Sequence, residues 1–125
     1  MTELASPRVD RAVLLALAER CQREEPGRKL DAAIAAATGW QHIHTHYGTP
    51  VGELPGYPDD WDTIPFFSTS LDAAATLVPP NRFGWTVESK VGGARANATV
   101  GRKHFGFAET EAMALCAAAL KAKAA

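Results

Sequence analysis

Two adjacent glycines late in the chain, Gly92-Gly93, limit what it can become more than any other feature. Before them Phe83, Trp85 and Val87 alternate with Gly84, Thr86 and Glu88; after them Ala94, Ala96, Ala98 and Val100 alternate with Arg95, Asn97 and Thr99. A period of two marks a strand with one apolar face, and paired glycines accept the positive φ of a tight turn, so the runs around Val91-Gly92-Gly93 predict a β-hairpin. Helix signals flank it. Upstream, Thr69-Ser-Leu-Asp72 resembles a capping box, and Leu71, Ala74, Ala75 and Val78 form an apolar face until Pro79-Pro80 stops the helix after about two turns. Downstream, a helix from near Glu109 to about Lys121 carries the stripe Met113, Cys116, Ala117 and Leu120, and its acidic start and basic end suit the helix dipole. Trp85, Phe83, Met113 and Leu120 are the first expectation for the core.

The N-terminal half reads less regularly. Ser6-Pro7 is a helix start, with Ser6 as cap and Pro7 at the first helical position, and Val9, Val13, Leu14, Leu17 and Cys21 recur at helical steps until Pro26-Gly27. The apolar run at residues 12–18 is not read as a secretion signal, because Glu3 and Asp10 spoil the positive flank and residues 19–23 continue an amphipathic helix. A second helix runs through Leu30, Ile34 and Ala37, and Gly39 suits a left-handed cap. From Trp40 to Tyr47 the period becomes two, with Ile43, Thr45 and Tyr47 on one face and Trp40, His42, His44 and His46 on the other. Residues 48–67 hold Pro50, Pro55, Pro58 and Pro65, which predicts a long loop with neither helix nor central strand. Its Tyr57, Trp61, Phe66 and Phe67 argue against a solvated linker.

These elements predict one α+β domain over residues 1–125: a short antiparallel sheet of about three strands, covered by helices as an α/β/α sandwich, with residues 1–27 as an additional N-terminal helix. The 13 basic and 14 acidic residues give a net charge of -1. No global field gathers nucleic acid, so nonspecific nucleic-acid binding is not expected, and no stretch is long enough for a membrane span. Cys21 and Cys116 lack metal or redox spacing and read as small buried hydrophobes of a reducing, cytoplasmic setting.

The succession Leu30-Asp-Ala-Ala-Ile34, Thr38-Gly39-Trp40, Phe67-Ser-Thr-Ser-Leu-Asp-Ala-Ala-Ala75, Trp85-Thr-Val87 and Ala108-Glu-Thr-Glu-Ala-Met-Ala-Leu-Cys-Ala-Ala-Ala-Leu-Lys121 resembles the phage ABA sandwich domain family. The resemblance covers about three quarters of the chain, residues 30–121. It implies a small phage or prophage protein in which helices cover a short antiparallel sheet, and a host-cell cytoplasmic location. The first helix and the histidine-bearing strand with its proline-rich loop depart from that pattern. The resemblance brings no catalytic residue set.

Three groups of residues carry candidate chemistry. His42, His44 and His46 project from one strand about 6.6 Å apart, and with Asp60, between Asp59 and Asp62 in the following loop, they offer donors for zinc or another divalent metal. Arg82, Arg95, Arg102, Lys103 and His104 lie on or beside the hairpin, close to Trp85 and Phe105, a mixture suited to holding a phosphate and stacking a base. Gly101-Arg-Lys-His-Phe-Gly106 lacks the ending of a phosphate-binding loop. Tyr57 and Trp61 belong to the long loop, which suits a lid or a protein-binding surface.

No nucleophile is assembled, no cofactor is expected, and the leading expectation is a non-enzymatic phage accessory protein. It would bind a small, nucleotide-like molecule or a host protein, as in counter-defence by sequestration. The alternatives are a metal-binding protein or metal-dependent hydrolase built on the histidine strand, and a self-associating structural protein. Exposed alanine faces favour a homo-oligomer.

Overall fold

The computed structural model describes residues 11–79, 84–88 and 96–125. Among them the order is α1 (Arg11–Arg23), α2 (Arg28–Ala37), β1 (Gln41–His46), β2 (Thr49–Glu53), β3 (Trp61–Thr63), α3 (Leu71–Ala75), β4 (Trp85–Glu88), β5 (Ala96–Val100), β6 (His104–Ala108) and α4 (Glu111–Ala124). The class is mixed α+β with an N-terminal helix, as the sequence predicts. The strands form two antiparallel sheets instead of one, ordered β1-β2-β3 and β4-β5-β6. The proposed helix start at Ser6-Pro7, Val9, and the hairpin residues Phe83 and Val91 to Arg95 lie outside the described residues.

Helix α4 is the centre of the core. Thr110 caps it by accepting a hydrogen bond from Met113 N at 3.2 Å, Glu111 stands in its first turn, and Lys121 and Lys123 stand in its last. Eleven of its residues are buried, so its apolar stripe has become a whole circumference. Helix α1 covers it on one side and the β4-β5-β6 sheet on another, with α3 beside it. An all-round buried helix needs small side chains wherever a neighbour comes close, which is the use of its seven buried alanines. The alanine surface expected to drive association is thus covered by the chain itself. Helix α1 is integral to this core through Leu14, Leu17, Ala18 and Cys21, whereas Val13 is exposed.

The tightest approach is at Gly106 on β6. A Cβ there would collide with Ala114 O and stand 2.7 Å from Ala118 N, so only glycine lets the strand lie on the helix backbone. The pairing places Trp85, Val87, Ala96, Ala98, Val100, His104, Gly106 and Ala108 on the inner side. Their burial follows that parity with one correction: Trp85, expected in the core, is 40% exposed. Backbone contact leaves no room for an indole between sheet and helix.

The second correction concerns residues 48–67, in which β2 is a central strand that contains Pro50. A strand residue's N–H and C=O point to the same side. Pro50 O accepts Ile64 N at 3.0 Å, just beyond the end of β3. The donor that proline lacks would have faced Ile64 O, and Arg28 Nη2 supplies it at 2.7 Å. A guanidinium from α2 therefore stands in for the ladder bond. The same Arg28 pairs with the fully buried Asp31 at 2.7 Å and lies 3.8 Å over the Phe66 ring. Asp31 also accepts Ser68 N at 2.7 Å, and Ser68 Oγ both accepts from Gly27 N and donates to Gly27 O. This latch fastens the proline-rich segment to the start of α2.

The smaller local readings turn out as follows. Gly39 takes φ 109° after α2, the left-handed conformation expected of it. The cap of α3 is Ser70, which accepts Ala73 N at 3.2 Å, one residue later than the capping-box reading of Thr69.

Candidate functional site

The residues singled out from sequence fall on two different sheets. Tyr57 and Trp61 belong to the β1-β2-β3 sheet; Arg102, Lys103 and His104 belong to the turn before β6 and its first residue. Arg82 and Arg95 lie outside the described residues. The aromatic loop and the basic run do not form a single site.

On the first sheet, β1 carries a bulge between Gln41 and His44, and His42 adopts φ 54°. A bulge breaks the alternation on which the three-histidine row depended. Trp40 packs against the core, and His42 turns toward Glu53, with Nδ1 3.4 Å from Oε1. His44 Nδ1 lies 2.9 Å from His42 O, and the His42 and His44 rings stand 6.0 and 5.5 Å from Trp61. His44, His46, Val51, Trp61 and Asp62 line a shallow cavity of about 390 Å³. Asp60 is engaged through its backbone in the turn that joins β2 and β3, where its N–H donates to Tyr57 O and its carbonyl accepts Leu54 N. Among the described residues no three His, Cys, Asp or Glu side chains come together as a metal-holding group. His44 and His46 share a cavity, but the bulge redirects His42 toward Glu53, so the proposed set His42, His44, His46 and Asp60 is not gathered into one group among the described residues. Tyr57, expected in a lid, is 62% exposed at the tip of the turn.

The second sheet offers a different surface. Strand pairing puts Thr86, Thr99 and Phe105 in one outward row and Glu88, Asn97 and Phe107 in the next. Phe105 and Phe107 are 48% and 52% exposed. Two phenyl rings this open on one strand are informative where a single exposed apolar residue is not. At the end of the sheet nearest Phe105, Gly101 N donates to Gly84 O at 2.9 Å, and the exposed Arg102 and Lys103 follow directly. The outer edge of β6 is closed by side chains: Lys121 Nζ donates to Phe105 O at 2.6 Å and to Gln22 Oε1 at 2.9 Å, and Gln22 Oε1 accepts Phe107 N at 3.4 Å. This covered edge blocks strand addition and leaves the face open.

Phe107 was missed as a site residue, and β6 was missed as a strand. The signal was present in the outward, inward, outward order of Phe105-Gly106-Phe107, but glycine at the inward position removes the apolar residue that alternation relies on.

The two cysteines, distant in sequence, are neighbours in the core and both are free thiols. The hydrogen bond between the Cys116 thiol and Cys21, then burial, push that thiol well above its ordinary range, and Cys116 Sγ donates to Phe67 O at 3.0 Å. Both pack as small apolar side chains in the core. No helix among the described residues is long and apolar enough to cross a membrane.

Comparisons with protein-family models, with curated proteins and with solved structures find no match to this chain.

Proposed function

We propose that the protein is a non-enzymatic binding protein whose working surface is β6 with the turn before it, and that its ligand is nucleotide-like. One observation carries the reading: Phe105 and Phe107 stand about half exposed on the outward face of a sheet, next to a turn bearing Arg102 and Lys103. An aromatic face accepts a planar base, and an adjacent cation accepts a phosphate. His104, half-buried at the start of β6, pairs with Val100 and so belongs to the inner side of the sheet, away from the rings. Nothing in this arrangement places a nucleophile beside a base, so the chemistry it supports is capture.

The resemblance to the phage ABA sandwich family suggests a setting. A small phage-encoded protein with such a face would act inside the host cell by sequestering a nucleotide-like molecule, a role consistent with counter-defence.

Native mass spectrometry of the untreated protein, followed by thermal melting against a panel of mono-, di- and cyclic nucleotides, tests the reading. A bound species or a raised melting temperature is expected, together with its loss in Lys103→Glu. No co-purifying ligand and no shift with any nucleotide would reject it.

A further inference from the structure

We infer that the open face of the β4-β5-β6 sheet takes single-stranded nucleic acid, with successive bases stacked on Phe105 and Phe107 and the adjoining phosphate held at Lys103 and Arg102. This rests on the functional reading above and extends it from a single nucleotide to a strand.

The number and spacing of the rings suit a strand better than a single nucleotide. Side chains two apart on a strand stand about 6.6 Å from one another, so each phenyl face serves its own base. A mononucleotide would occupy one ring and leave the other in water. A chain of nucleotides uses both, in line with the strand axis.

Both rings are held outward by the packing beneath them. Gly106 lies on the backbone of α4, with no space for even a methyl group, so the inward position of β6 is committed and its neighbours are driven to the opposite face. Lys103, Phe105, Gly106 and Phe107 match four of the first five positions of the order lysine or arginine, glycine, aromatic, glycine or alanine, phenylalanine, with which sheet-borne RNA readers present stacking rings; His104 stands where that order has glycine. The likeness is confined to this strand; β6 is an edge strand here, and its sheet is backed mainly by one helix.

Charge is placed unevenly among the described residues of the face. Lys103 and Arg102 stand at the end nearest Phe105, where Thr99 lies beside that ring and Thr86 beyond it, and the acidic Glu88 stands at the far end with Asn97 between it and Phe107. Phosphate is thus favoured at the Phe105 end. Three strands of four or five residues make a platform for about two or three nucleotides. The net charge of -1 supplies no long-range attraction, so binding is local and led by stacking. Bases inside a duplex cannot reach the rings.

The test is fluorescence anisotropy on the full chain, with fluorescein-labelled eight-nucleotide oligouridylate and oligothymidylate as probes, UMP and AMP as competitors, and an RNA duplex of equal length. Saturable binding of a single strand is expected, about tenfold or more tighter than of the duplex or of either mononucleotide. Phe105→Ala and Phe107→Ala should each weaken it about fivefold or more. Phe105→Leu, which keeps apolar bulk and removes the aromatic plane, should weaken it likewise, and Phe105→Tyr should restore it. Lys103→Gln should lower the salt slope by about 0.7, and Glu88→Gln should tighten binding. Both phenylalanines are half exposed, so these variants keep the fold, which circular dichroism melting checks.

Equal affinity for oligomer and mononucleotide would overturn the strand inference while leaving the nucleotide reading intact. Failure of both ligand classes would remove both. Undiminished binding by Phe105→Leu and Phe107→Ala, with loss only in Lys103→Gln, would show a purely electrostatic contact and overturn stacking.

Discussion

The two sheets contain the same number of strands and solve opposite problems. The β4-β5-β6 sheet is held from behind: Ala96, Ala98, Gly106 and Ala108 keep its inner side low, and at Gly106 the backbone of α4 lies against it. The β1-β2-β3 sheet makes few helix contacts and is held at one end by polar bonds from Arg28, Asp31 and Ser68, with an apolar anchor at Ile64 and Phe67. Close packing resists any change of shape, whereas a polar latch resists only the loss of a partner. The first sheet should therefore be the more easily opened, and the second the more rigid platform for a ligand.

The severest way to break this contrast is Gly106→Ala, whose methyl group would meet a helix carbonyl. A loss above about 3 kcal/mol is expected by chemical denaturation, with the midpoint collapsing; a loss under 1 kcal/mol would mean that sheet and helix can slide apart. Asp31→Ala attacks the other sheet, leaving Arg28 and Ser68 N without their buried acceptor, at about 3 kcal/mol. Amide exchange should then rise in β2 and β3 before it rises in β5; uniform acceleration would show that the latch serves the whole core.

Alkaline pH probes the core that both sheets share. With the Cys116 thiol raised in the folded state, its contribution is intact below the unfolded thiol's pKa and is lost as pH climbs from there toward the folded value. Stability should decline above about pH 8.5 by no more than about 1.4 kcal/mol per pH unit for this group. Thiol reagents at neutral pH should label it only after denaturant is added. Gly52→Ala is the mild counterpart of Gly106→Ala: its new methyl would meet Ile43 Cγ1 at 3.0 Å and Gln41 O at 3.2 Å, and a side chain can yield where a helix backbone cannot. A cost of about 1 kcal/mol is expected, and equality with Gly106→Ala would erase the distinction between the sheets.

The helices and the β4-β5 pair were legible because each carries its own periodic signal: Leu14, Leu17 and Cys21 in α1, Met113 and Leu120 in α4, and Ala96, Ala98 and Val100 in β5. What escaped was set by distant partners. Pro50 argues against a central strand until Arg28, 22 positions earlier in the chain, is seen to replace the missing donor. The histidine row looked regular because nothing local announces that His42 will bulge. Trp85 looked like core because indoles are usually buried, yet the space over β5 is set by the approach of α4. Of the candidate ligand residues, Lys103 and the companion ring Phe105 were visible in the sequence, while the arrangement that makes them a surface depended on recognising Gly106 as an inward residue.

The two sides of β6 are also uncoupled with respect to change. Positions 86, 88, 97, 99, 105 and 107 can be varied at little cost to folding, since their side chains lie away from α4. The scaffold tolerates almost nothing at position 106. A lineage, or a designer drawing a combinatorial library over those six outward positions, could change what this face presents while the stability of the domain stays where it is.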